Sequence, residues 1–251
     1  MEVTATPIYF DWPFWAFIVA FVALVLSQLP PIHILLKNAK IDFELYSKVS
    51  LSHKVGNPNL QIHIIINNIG GRKVRIRDIK ANITRDGNKV ADLPAQNFLQ
   101  NPSDTNTVLF TSFSLIPNEE WGHIVNLLRF FGRDEEREYR ELEGRIKSNI
   151  FEKRKQIQGE LKELIEASPE NVEPFHAFFN QRFIWVAGEY ELKVKVITDN
   201  VEANTEKNYR FTVFEYYEKE LRKITEEYKY GAGIYWDSST PANVILDIKE
   251  A

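Results

Sequence analysis

Cysteine is absent from the 251 residues. That excludes disulfide staples, thiolate zinc sites and cysteine nucleophiles. Concentrated positive charge is absent too: the formal net charge is −4 and no basic stretch dominates any part of the chain, so there is no electrostatic reason to expect nucleic acid. The histidines His33, His53, His63, His123 and His176 are scattered, with no pair at helical i, i+4 spacing and no HExxH, which leaves a zinc site without local support. There is no GxSxG elbow. Gly70-Gly71 follows a strand but leads into another strand instead of the helix N-terminus that a phosphate cradle needs. No catalytic residue, metal ligand or cofactor is assigned, and no cofactor is expected.

A long apolar run is present at the N-terminal end. Pro13 to Leu26 reads PFWAFIVAFVALVL, and Ile8 to Leu29 is apolar apart from Asp11, Ser27 and Gln28. At about 1.5 Å per residue such a span covers a hydrocarbon core of ~30 Å, which predicts a single transmembrane helix with Trp12, Trp15, Ile18, Val22 and Leu26 as anchoring positions. The first twelve residues carry Glu2 and Asp11 and no Lys or Arg, unlike the positive start of a signal peptide. Lys37, Lys40 and Lys48 follow the run, so the positive-inside rule predicts a cell-membrane protein with its C-terminal domain in the cytoplasm. The predicted organisation is an anchor with a juxtamembrane segment over 1–36 and a β domain over 37–251, the latter carrying a helical insertion at 133–182.

Strand patterns begin at Ile41. Leu60, Ile62, Ile64 and Ile66 recur with period two, with Gln61 and His63 between them, as in a half-buried strand. In the segment Val74 to Thr84 the apolar face slips between Ile76 and Ile79, and a β-bulge near Asp78 restores it. The run EEWGHIVNLLRFF fits a short helix or a further strand, with the balance toward strand. Tyr190, Leu192, Val194 and Val196 share one face, as do Tyr209, Phe211 and Val213, which predicts a hairpin. Tyr217, Leu221, Ile224 and Tyr228 mark a short amphipathic helix, and NVILDI a last strand.

Between Arg133 and Ala167 the composition changes sharply, with nine basic and ten acidic residues. Leu142, Ile146, Ile150, Ile157, Leu161 and Leu164 recur at steps of three, four and seven, the stripe of one long amphipathic helix. Acid-first pairs such as Glu136/Arg140 and Glu143/Lys147 each support it by about 0.2–0.5 kcal/mol. Phe175, Phe178, Phe179, Phe183 and Trp185 crowd the return to the sheet. These aromatics either seal the insertion to the domain or offer a partner surface; so does the stripe, and the candidate surface is Leu142, Ile146, Ile150, Ile157, Leu161, Phe175, Phe178 and Phe179.

The run Ala187-Gly188-Glu189-Tyr190, entering an alternating strand, resembles the tyrosine corner of immunoglobulin-like and fibronectin-like sandwiches. The loop Asn67-Asn68-Ile69-Gly70-Gly71 is similar to that broad class in shape. The resemblance implies a mainly β protein, an immunoglobulin-like β-sandwich with a long helical insertion, preceded by a single transmembrane helix. With no Cys, it extends only to the looser sandwich class. The function expected is a single-pass membrane-anchored interaction protein whose β-sandwich recruits a partner or assembles a complex. Its partners would be the lipid bilayer and another protein subunit or a second copy of itself. The alternatives are a triggered membrane-perturbing effector of a defence or toxin system, and a cryptic hydrolase.

Overall fold

The computed structural model describes residues 12–28, 37–157, 164–238 and 242–251. Helix α1 (Trp12–Gln28) contains 17 residues. Among the described residues no helix is long and apolar enough to cross a membrane. At about 1.5 Å per residue α1 rises only about 25 Å, short of the ~30 Å core. The remainder of the apolar run, residues 8–11 and 29, lies outside the described residues. The expected membrane anchor at Trp12, Trp15, Ile18, Val22 and Leu26 is therefore corrected to an apolar helix, and the membrane localisation and cytoplasmic topology deduced from it lose their support. Most of its large side chains are exposed, Trp12 at 84% and Leu24 at 60%.

Eleven strands follow: β1 (Ile41–Lys54), β2 (Asn57–Asn68), β3 (Val74–Arg85), β4 (Asn88–Leu99), β5 (Thr107–Leu109), β6 (Phe113–Leu115), β7 (Glu120–Leu128), β8 (Gly188–Thr198), β9 (Thr205–Val213), β10 (Asn243–Asp247) and β11 (Lys249–Glu250). All named pairings are antiparallel, in the order β10-β1-β2-β7-β4-β3-β8-β9-β11, with β5 beside β4 and β6 beside β3. This corrects the expected sandwich. The hydrogen bonding does not divide into two separate sheets but runs on as a nearly closed, barrel-like sheet.

Strand β4 makes the first corner. Its early residues up to Pro94 pair with β3, whereas Ala95 to Leu99 pair with β7. Pro94 sits at that changeover, next to a register shift between Ala95 and Asn97, where a missing N–H costs the ladder least. The second corner is the C-terminal strand pair. β10 pairs with β1, and after the single residue Ile248, β11 pairs with β9.

Inside lies one core. Leu60, Ile62, Ile64 and Ile66 of β2 are all buried, as are Leu192, Val194 and Val196 of β8 and Phe211 and Val213 of β9, so period-two patterning does place its apolar members inward. A register shift falls between Ile76 and Asp78 of β3. Tyr190 is buried against Phe211, rings stacked at 5.0 Å, and its hydroxyl lies 2.6 Å from the Ile184 carbonyl and 2.7 Å from that of Val186.

Among the described residues the segment between β7 and β8 contains two helices, α2 (Arg133–Gln156) and α3 (Pro169–Arg182), and the long helix expected to reach Ala167 ends at Gln156. α2 stops at Gln156, before the helix-weakening Gly159. The chain then returns alongside it. Lys153 Nζ donates to the Glu166 carbonyl at 2.8 Å, and the Ser168 N–H donates to Asn149 Oδ1 at 2.8 Å. Pro169 opens α3, a position where its missing N–H costs nothing. After β9, α4 (Glu215–Arg222) runs into a 3₁₀ segment, Lys223–Tyr230.

Candidate functional site at the helical cap

The β1–β2 hairpin turns in two residues, Val55 and Gly56, with φ of 48° and 84°. Positive φ at both positions defines the tight turn that suits twisted strands. Glycine takes it freely, whereas for the β-branched Val55 the conformation is strained, a cost of order 1–3 kcal/mol. Burial of Val55 in the core offsets it, since a buried valine gains about 1.5–3 kcal/mol. Gly56 is needed for a second reason: a Cβ there would stand 2.4 Å from the Phe179 carbonyl oxygen. α3 thus rests directly on the turn.

His53 locks this contact. Its Nε2 is 2.8 Å from the Leu221 carbonyl, which can only accept, so the proton is on Nε2. Nδ1 then accepts from the Gly56 N–H at 3.2 Å. The ring lies edge-on to Phe179 and Phe183, at 5.2 and 5.4 Å. Burial, despite the favourable Leu221 carbonyl and reinforced by nearby Arg222, pushes its pKa down to about 4. With both nitrogens engaged and the ring neutral, His53 is a structural fastener. Trp185 Nε1 adds a bond to the Ser52 carbonyl at 2.9 Å.

Two clefts flank the hairpin. The first, about 610 Å³, lies between it and the segment after α4; its lining includes Tyr228 and Ser238 to Ala242 less residues 239–241, which are outside the described residues. Tyr228 is buried and its hydroxyl lacks a partner among the described residues. Burial, then the neighbouring Tyr139, raises its pKa well above the ordinary phenol value.

The second cleft, about 580 Å³, opens between the hairpin and the first turns of α2, and every lining residue is described. Its aromatic wall is Tyr139, stacked on Phe131 at 5.4 Å, with its hydroxyl donating to the Ile234 carbonyl at 2.6 Å. Burial first, then Glu143, raises the Tyr139 pKa, so the phenol stays protonated. Lys54 Nζ lies 5.6 Å from the centre of that ring and the Arg140 guanidinium 5.7 Å. Arg140 is already bonded to Glu136 at 2.7 Å and Glu143 at 2.8 Å. Lys54 is exposed and, among the described residues, has no carboxylate partner. On the opposite side Asn59 Nδ2 donates to Ser52 Oγ at 3.1 Å, while Asn59 Oδ1 is buried and has no hydrogen-bond partner among the described residues. Phe130 stands at the rim, 62% exposed.

The start of α2 is fixed by Glu135. Burial disfavours its charge, but the Gly132 N–H together with Arg129 and Arg182 outweighs that and holds the carboxyl below the usual range. α2 is thereby held in place beside the second cleft.

The candidate partner surface divides in two. Phe175, Phe178 and Phe179 are sealed in the core, as are Leu142 and Ile146, and Ile150 packs partly against it. Ile157 is 47% exposed and Leu161 lies outside the described residues. Phe130, Phe151 at 57% and Leu164 at 63% are exposed on the same cap. Lys54, Asn59, Tyr139 and Arg140 were not singled out by sequence reasoning. The turn-forming string Gly56-Asn57-Pro58-Asn59 between two apolar runs was the available signal for the hairpin. Among the described residues no group of histidine and carboxylate side chains is placed to hold a metal ion. No protein-family model and no curated protein matches the chain.

Proposed function

We propose that this protein is an interaction module, not an enzyme, whose helical cap recruits a partner polypeptide. The observation that carries the reading is the two-sided character of the cap. Its inner side is consumed by the core, through Tyr139, Ile146, Phe175, Phe178 and Phe179, while Phe130 at the second cleft and, toward the far end of α2 and beyond it, Phe151, Ile157 and Leu164 stand in solvent. Large apolar side chains left outside a filled core favour a recognition surface where they fall on one face. The titratable groups of the cap favour the same reading: His53 is spent on two hydrogen bonds, and Tyr139 and Tyr228 are held in their neutral forms.

The test is chemical cross-linking in the native host, comparing the wild type with Phe151→Glu and Leu164→Glu. The expected result is a discrete heteromeric product with the wild type that both variants lose while keeping the wild-type melting curve. A product retained by both variants, or none with any of the chains, overturns the reading. A product containing only this chain replaces it with self-association.

A further inference from the structure

We propose that His53 is an acid-sensitive latch: protonation of its ring lets α3 and α4 lift away from the β1–β2 hairpin while the barrel stays closed. The neutral ring ties the hairpin, α3 and α4 together at one point. Its Nε2–H donates to the Leu221 carbonyl at the end of α4, its Nδ1 accepts from the Gly56 N–H in the turn, and the ring packs against Phe179 and Phe183 at the end of α3. A second proton goes only to Nδ1, because Nε2 already carries one. The new N–H then faces the Gly56 N–H, donor against donor, across the 3.2 Å that the hydrogen bond now spans. The backbone of Gly56 also lies directly against the Phe179 carbonyl, so a turn pushed aside there unseats α3.

Among the described residues no carboxylate is bonded to the ring. The charge that bears on it is a like one, the Arg222 guanidinium, which stands 4.4 Å from the centre of the Phe183 ring and 5.6 Å from that of Phe179. Glu218 on α4 is committed elsewhere: one oxygen holds Arg222 at 2.7 Å and the other accepts from the Ala187 N–H at 2.8 Å. α3 brings the uncharged Asn180, bonded to Arg222 at 3.2 Å, and the 3₁₀ segment the neutral Tyr228. Asp237 shares the lining of the first cleft with His53, and Tyr139, Glu136 and Arg140 that of the second, the last two paired at 2.7 Å; Lys54 beside the ring is exposed. The strands do not need the cap for their own pairing, since β1 is hydrogen-bonded on both edges, to β2 and to β10. α3 buries Phe175, Phe178 and Phe179, so the lifted form is the minor one, and the latch sets how often it is visited. Burial favours the neutral ring in the closed form, a hold that is complete above the free value of about 6.5 and is lost as the pH falls toward about 4. The equilibrium constant for lifting at pH 5 is then about thirtyfold that at pH 7.5.

The experiment is hydrogen–deuterium exchange of the full chain at pH 7.5 and pH 5, with labelling times scaled for intrinsic amide exchange. Mass spectrometry compares peptides from the hairpin turn, α3 and α4 with peptides from β3 and β8. In the wild type the cap peptides are expected to exchange faster than the strands at both pH values, and their opening constant to rise about thirtyfold on acidification. With His53→Asn that rise is expected to disappear. Nitrogen-15 NMR of the histidine rings in the wild type makes the decision independent of whether the variant folds: one of the five histidines is expected to stay neutral at pH 5, with its proton on Nε2. Cap and strands that exchange together, an opening constant indifferent to pH, the same pH response in His53→Asn, or five charged rings in the folded protein at pH 5 overturns the proposal.

Discussion

His53 shows how a residue invisible as a site in sequence becomes decisive in the fold. In the chain it alternates with serines and lysines, and nothing nearby announces its partners. Those partners are Gly56 three residues on, the Leu221 carbonyl 168 residues away, and Phe179 and Phe183 at the end of α3. A histidine held neutral by burial contributes stability that is fully present above its unfolded pKa of about 6.5 and is lost as the pH falls toward its folded value of about 4. Integrating between those limits gives a loss of about 2 kcal/mol between pH 7.5 and pH 5. Urea melts of the wild type and of His53→Asn across that range are the measurement. The wild type is expected to lose this increment and the variant, already weaker at pH 7.5, to lack it. Parallel pH curves for the two proteins would show that the ring is not desolvated. Tyr190, by contrast, is legible, because its contacts are local: the acceptor carbonyls belong to Ile184 and Val186, six and four residues upstream.

At the scale of the element, periodicity found α2 but not its end. Leu142, Ile146 and Ile150 follow the stripe onto the core, since a helical face presents its i, i+4 and i+8 positions together. The same stripe, continued on paper through Ile157, Leu161 and Leu164, predicts one helix running on to Ala167, whereas α2 ends at Gln156. Apolar spacing of three and four says which side chains share a face only while the helix lasts; it says nothing about whether a tertiary contact, such as the Ala167 N–H on the Lys229 carbonyl at 2.7 Å, rewards a turn instead. β4 was missed for the opposite reason. Asp92, Pro94 and Asn97 break its alternation, because the strand changes neighbours midway and has no single inward face. The split in α2 gives a direct prediction. Ile146→Ala removes a fully buried side chain and is expected to cost about 2–5 kcal/mol in a urea melt, whereas Ile157→Ala, half in solvent, is expected to stay within about 0.5 kcal/mol of wild type. Equal effects would mean that α2 does not dock as described. The charged outer face is a different matter: Arg137–Asp134 and its kind are exposed ion pairs, from which little stability is expected.

The whole molecule depends on how the sheet closes. Most strands were readable from their own residues, but closure was not, because it is a relation between the two ends of the β domain. β1 and β9 lie 150 residues or more apart in sequence, and the C-terminal strand pair joins them: β10 on β1 from Lys48↔Asp247 to Ser52↔Asn243, β11 on β9 at Arg210 and Tyr209. At the crossing the Ile248 N–H donates to the Ser47 carbonyl at 2.8 Å, and beyond it the Ala251 N–H donates to the Asn208 carbonyl at 2.9 Å. Val244, Leu246 and Ile248 point inward and are buried, so the strand is a stave of the barrel as well as a cover for two edges. Three such side chains at about 1.5–3 kcal/mol each are comparable with the ~5–15 kcal/mol that a whole domain possesses. Deleting residues 243–251 is therefore expected to leave no cooperative urea transition, and to expose β1 and β9 as unpaired edges that associate, seen as a rise in light scattering. Leu246→Ala provides the graded form of the same experiment, because it keeps every backbone pairing while removing one buried side chain. A loss of about 2–5 kcal/mol with the wild-type state of association preserved is expected from a closing strand that carries core weight. A truncated chain that melts like the wild type would mean that the strand merely lies against the sheet, and that the barrel stands open between β1 and β9.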